Sequence, residues 1–100
     1  MSVLVTMRVK GDTEKFRRFT SENADKLREI ADDARARGCL HHRFGVGEDF
    51  VLVVDEWESP DQFRQFFEGN PQIEEVMRES GAQSEPEFSF SEAVETADQF

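Results

Sequence analysis

The sequence predicts an α+β sandwich in the order βαββαβ, one four-stranded antiparallel sheet with its helices on one face. Three observations predict it. Apolar runs of strand length or strand period occur four times, at Ser2 to Val9, Cys39 to Val46, Phe50 to Glu58 and Glu87 to Val94. Segments of helical period separate the first run from the second and the third from the fourth. The break Gly47-Glu48-Asp49 between the middle two is a tight turn, so those two strands form a β-hairpin.

Each element follows from its residues. In the first strand Val3, Val5, Met7 and Val9 alternate with Leu4, Thr6 and Arg8, which gives it two distinct faces. Gly11-Asp12 ends it, and Asp12 or Thr13 can cap a helix in which Phe16, Phe19, Leu27, Ile30 and Ala34 recur near helical spacing. Cap-forming residues around Ser21-Glu22-Asn23 interrupt that pattern, so the segment is either one kinked helix or two. Arg35 and Arg37 place positive charge at its negative end before Gly38 stops it. In the third strand Val51, Leu52, Val53 and Val54 leave no polar face, the pattern of a strand covered on both sides. Ser59 as N-cap, Pro60 at the first helical position and Gln62 as the partner of a capping box then open a helix carrying Phe63, Phe66 and Phe67, which ends at Gly69. Asn70-Pro71 starts a further short helix with Ile73, Val76 and Met77 as its apolar stripe and Gly81 as its terminator. The last strand sets Phe88, Phe90 and Val94 on one face. Residues 1–95 are expected to form a single domain, and residues 96–100 a tail.

Composition narrows the function. With 22 acidic against 12 basic residues the net charge is −10, which repels phosphate backbones and anionic membrane surfaces, so no nucleic-acid or membrane partner is expected. Cys39 is the only cysteine, so no internal disulfide and no cysteine-based metal cluster is expected; in its strand it reads as a small buried residue. Met1 leads directly into a strand pattern without a basic region or a long apolar segment, so neither a signal peptide nor a membrane span is expected, and the cytoplasm is the expected location. Phe50, Leu52 and Val54 lie on the opposite side of their strand from Val51 and Val53. Helices cover one face; a second copy of the sheet would cover the other, so a homodimer is expected.

If Glu48 and Asp49 form a two-residue loop, hairpin partners have numbers that sum to 97. That register sets Phe44 across from Val53, His42 from Asp55, His41 from Glu56 and Leu40 from Trp57. His42 and Asp55 then share a face with Phe44, Val53, Leu40 and Trp57. A histidine paired with a carboxylate on an apolar face has the parts of a general base; it equally reads as a cross-strand pair that satisfies itself. His41 and His42 are adjacent and point to opposite faces, so they cannot chelate one metal, and no metal site is expected. Trp57, Phe63, Phe66 and Phe67 read as core packing between helix and sheet, or as the aromatic walls of a site.

From Val3 to about Val94 the chain resembles the antibiotic biosynthesis monooxygenase (ABM) domain group of the dimeric α+β barrel superfamily, whose fold is ferredoxin-like. The resemblance is carried by the strand ending in Val-Val-Asp-Glu-Trp-Glu-Ser, the helix Asp61-Gln-Phe-Arg-Gln-Phe-Phe67, the His41-His42-Arg43-Phe44 strand and the closing Glu85-Pro-Glu-Phe strand. It implies a cofactor-independent monooxygenase acting on a small aromatic or polyketide-like molecule. In that reading His42 is the base, Asp55 orients it, Trp57 and Phe66 wall the substrate with Phe44 beside them, and Arg8 or Arg43 donates to the developing oxyanion. The chain has no tyrosine, so a phenolic donor has no counterpart. The superfamily also includes haem-degrading enzymes, whose histidine lies in the helix after the strand tryptophan; here that helix offers only Phe63, Phe66 and Phe67. The alternative of a different class is a non-catalytic dimeric module that binds a small ligand or has a structural role, and a third reading is haem binding or degradation.

Overall fold

Period-two burial begins at β1 (Val3–Lys10), which turns Val3, Val5 and Val9 inward and Leu4, Arg8 and Lys10 outward. The computed structural model describes residues 1–100. Asp12 caps α1 (Thr13–Glu22), its carboxylate accepting from the Lys15 N–H at 3.1 Å. At Asn23 both the backbone N–H and the side-chain amide donate to the Phe19 carbonyl, at 3.0 and 2.9 Å, which closes α1. A second helix, α2 (Ala24–Ala36), starts immediately after it. Of the two arrangements that Ser21-Glu22-Asn23 left open, the chain adopts two helices.

β2 (Cys39–Val46) and β3 (Phe50–Trp57) form the hairpin, closed by the Gly47 N–H donating to the Phe50 carbonyl at 2.9 Å. A β-carbon on Gly47 would lie 2.0 Å from the Phe50 ring, so any larger residue there would require that ring to move. Ser59 caps α3 (Pro60–Glu68), accepting from the Gln62 N–H at 3.2 Å and donating to the Gln62 side-chain oxygen at 2.8 Å. Asn70 caps α4 (Pro71–Glu79) in the same way through the Gln72 N–H, at 3.0 Å. β4 (Glu87–Glu92) completes a four-stranded sheet of order β2-β3-β1-β4 in which every neighbouring pair is antiparallel. This is the expected α+β, ferredoxin-like sandwich. No helix is long and apolar enough to cross a membrane.

Two local expectations are corrected. The last strand stops at Glu92, so Val94, 70 % exposed, lies outside it and does not share a strand face with Phe88 and Phe90. The Ala93 N–H still bonds the Ser2 carbonyl, and β1 begins at Val3, so the ladder ends there. The hairpin register holds from Val46 to His41 and then shifts at a bulge, which sets Cys39, not Leu40, opposite Trp57. Because side chains alternate, the extra residue turns Cys39 from the outer face into the core and leaves Leu40 45 % exposed.

Val3, Val5, Ala34, Cys39, Trp57, Phe63 and Phe66 make one packed cluster between the sheet and helices α2 and α3. Trp57 is fully buried in it, its ring 5.6 Å from Phe63 and 5.2 Å from Phe66. On the far side of the sheet no helix lies over Leu4, Arg8, Phe50, Leu52 or Val54.

Candidate functional site

Antiparallel pairing puts His42 directly across from Asp55, both on the helix side of the sheet. His42 Nδ1 lies 2.7 Å from Asp55 Oδ1, and the indole N–H of Trp57 donates to Asp55 Oδ2 at 3.0 Å. Asp55 is buried, and both of its oxygens are engaged by ring nitrogens. A carboxylate holding two such partners acts as an acceptor, so Nδ1 of His42 is the donor in this pair, and in the neutral ring the lone pair is on Nε2. Trp57 is two residues beyond Asp55 and therefore on the same face of β3, which is why one strand supplies both the carboxylate and its second donor.

A cavity of about 640 Å³ lies between this face of the sheet and the helices, and 21 of its 32 lining residues are hydrophobic. His42 and Asp55 line it, as do Phe44, Phe63 and Phe66. Trp57 does not; it stands in the core behind Phe63 and Phe66 and hydrogen-bonds the site through Asp55. Phe44 packs edge-on against His42 at 4.8 Å and against Phe16 of α1 at 5.1 Å, so the imidazole is held by an aromatic ring as well as by the carboxylate. The His42 side chain is 40 % exposed and Phe44 39 %, so the cavity opens along the edge strand β2. A volume of this size is within the range that holds a small organic molecule.

Arg8 and Arg43 are on the other side of the sheet. Arg8 stacks its guanidinium over the Phe50 ring at 3.7 Å, and Arg43 stands opposite Val54 beside a shallower hollow of about 420 Å³. Within one chain, then, neither faces a molecule held at His42, because adjacent strand residues point in opposite directions. His41 shares that outer face, 3.9 Å from Glu56. No three His, Cys, Asp or Glu side chains converge where they could hold a metal ion.

Cys39 also lines the cavity. Its thiol pKa is pushed up to about 11, chiefly by burial and then by the charge of Asp55, against a smaller opposing effect of the His41 backbone. It is a neutral thiol and not a nucleophile. The sequence reading missed two features of the site. The Trp57–Asp55 bond had a signal in the Asp-x-Trp spacing. The contribution of α1, α2 and α4 had none, since Phe19, Leu27, Ile30 and Met77 form stripes that look alike whether they fill a core or wall a cavity.

The fold has clear counterparts among solved structures. The ActVA-Orf6 monooxygenase of Streptomyces coelicolor, solved in complex with nanaomycin D, superposes with a TM-score of 0.70 at 15 % identity, over 99 % of this chain and 93 % of that one. SnoaB, a cofactor-independent oxygenase of Streptomyces nogalater, superposes with a TM-score of 0.65 at 13 % identity, over 98 % of each chain. An antibiotic biosynthesis monooxygenase superposes with a TM-score of 0.64 at 12 % identity, over 93 % of this chain and 99 % of that one. The chain shares the fold of these proteins. No family model matches the sequence, and no curated protein matches it. At these identities the likeness carries the ABM architecture, and the chemistry of an ABM domain has to be argued from this chain's own residues.

Proposed function

We propose that this chain is a cofactor-independent monooxygenase acting on a small aromatic, polyketide-like phenol, and that it works as a cytoplasmic homodimer. The observation that carries the reading is the cavity into which His42 projects, its ring fixed by a buried carboxylate. With Nδ1–H held by Asp55, Nε2 is free to take the phenolic proton, and the resulting imidazolium lies between Asp55 and the phenolate it has created. Deprotonation places negative charge on the ring carbon ortho or para to the oxygen. That carbon bonds to dioxygen, giving a hydroperoxide after the proton returns; loss of water then leaves the quinone. One phenol and one dioxygen become one quinone and one water, so carbon supplies the electrons that oxygen gains. Phe44 and Phe66 wall the ring plane, and an apolar cavity excludes competing water. Since Arg8 and Arg43 face outward, oxyanion stabilisation in this scheme falls to the imidazolium of His42.

Substrate-dependent oxygen uptake across a panel of electron-rich phenols and quinols tests the reading. His42→Ala is expected to abolish the uptake; a panel that gives none with the parent protein would sink it. The homodimer is supported by the open sheet face, where Leu4 is 42 % and Val54 43 % exposed beside Leu52 and Phe50. The neutral, unpaired Cys39 thiol fits a reducing compartment.

A further inference from the structure

The cavity has an electrostatic character opposite to that of the protein around it. Of 22 acidic residues only Asp12 and Asp55 line it. Both are already engaged, Asp12 as the cap of α1 and Asp55 by His42 and Trp57. No glutamate reaches it. Three cationic residues do: Lys10 at the end of β1, and Arg28 and Arg35, which are seven residues and so two turns apart on one face of α2. Ala31 lies between them, a residue too short to cover either, and lines the cavity with them. Arg28 is tied only to Asp25, a 2.9 Å pair in which both side chains are largely exposed, and such pairs exchange readily. Arg35 takes part in none of the seven ion pairs of the chain. The neighbouring Arg37, by contrast, is held by Asp33 at 3.0 Å and does not line the cavity.

From this placement we infer that Arg35, assisted by Arg28, selects ligands that carry a carboxylate at the end of the molecule away from the group presented to His42. The inference deepens the oxygenase reading and rests on it for the orientation of the phenol. A guanidinium binds a carboxylate through a planar pair of hydrogen bonds, and at an exposed residue such as Arg35 that pairing is partly screened by water. The surrounding net charge of −10 would otherwise repel an anion, so a local positive rim is needed for an aromatic acid to enter at all. Arg35 is a specificity residue here, remote from the reacting carbon.

Calorimetric titration with two matched probes, 2-naphthol and 6-hydroxy-2-naphthoate, tests it. The parent protein is expected to bind the naphthoate about tenfold more tightly, a charge-assisted bond discounted for the exposure of Arg35. Arg35→Gln should bring the ratio close to one with the affinity for 2-naphthol unchanged, Arg35→Lys should keep part of it, and salt at about 0.5 M should shrink it in the parent. Equal affinities in the parent, a ratio that survives Arg35→Gln, or failure of both probes to bind would each overturn the inference. Oxygen uptake is scored separately. A protein that consumes oxygen with neutral phenols yet shows no carboxylate preference refutes this inference alone, and one that prefers the naphthoate yet never consumes oxygen with any phenol refutes the oxygenase reading alone.

Discussion

Asp55 is the residue on which the site turns. It is a buried carboxylate whose two oxygens are bonded to one ring on its own strand and one on the neighbouring strand. Asp55→Asn keeps the shape but supplies an amide that can turn its N–H toward His42 and hold the wrong tautomer. Oxygen uptake is expected to fall roughly 10²–10⁴-fold, the range associated with losing a positioned base. Trp57→Phe leaves Asp55 Oδ2 buried without its donor; urea unfolding should show a loss of about 1–3 kcal/mol. The third test uses Cys39, whose thiol pKa is raised from 9.0 to about 11 in the fold. The folded state therefore favours the protonated thiol. The associated stability is complete below the unfolded-state value and is lost as pH rises from about 9 through 11. Unfolding curves across that window should fall less steeply for Cys39→Ala than for the parent, and equal slopes would reject the assignment.

At the level of elements, caps and breaks follow from local chemistry. Ser59, Pro60 and Gln62 open α3 as residue types at those positions should, and Ser59→Ala is expected to cost about 1 kcal/mol in thermal or urea unfolding. Asn23 could either bend a helix or end one, and its side-chain bond to the Phe19 carbonyl decides for an end. The two-residue loop assumed for the hairpin is the one formed, and with it His42 meets Asp55. The bulge at Leu40 was not legible. It exchanges one ladder position for the burial of Cys39 beside Trp57, and no pattern in β2 weighs that exchange. Across the helix layer, Lys26 of α2 bonds Glu75 of α4 at 3.2 Å and approaches Glu79 at 3.8 Å, which lowers the Glu75 pKa and joins two walls of the cavity. These are partners far apart in sequence, and helical periodicity cannot name them.

For the whole molecule the open sheet face carries the clearest prediction. A sheet face with Leu4 and Val54 exposed at its centre is expected to meet a second copy, and Val54→Asp should convert a dimer into a species near 11.6 kDa by light scattering. A parent protein that already runs at that mass would remove the dimer from the proposal. The sequence by itself determined the element order, the antiparallel hairpin and the α+β class, because strand period, caps and turn residues act over a few positions; the face shared by His42 and Asp55 depended on a hairpin register that the structure decided. Only the tertiary structure decided that Phe44 and Phe66 border a space while Trp57 is packed solid behind them, that Arg8 and Arg43 point away from that space, and that Arg28 and Arg35 line it. Those outcomes depend on how closely helices approach a sheet and where one extra residue enters a strand, and the same apolar stripe satisfies either a filled core or a hollow one.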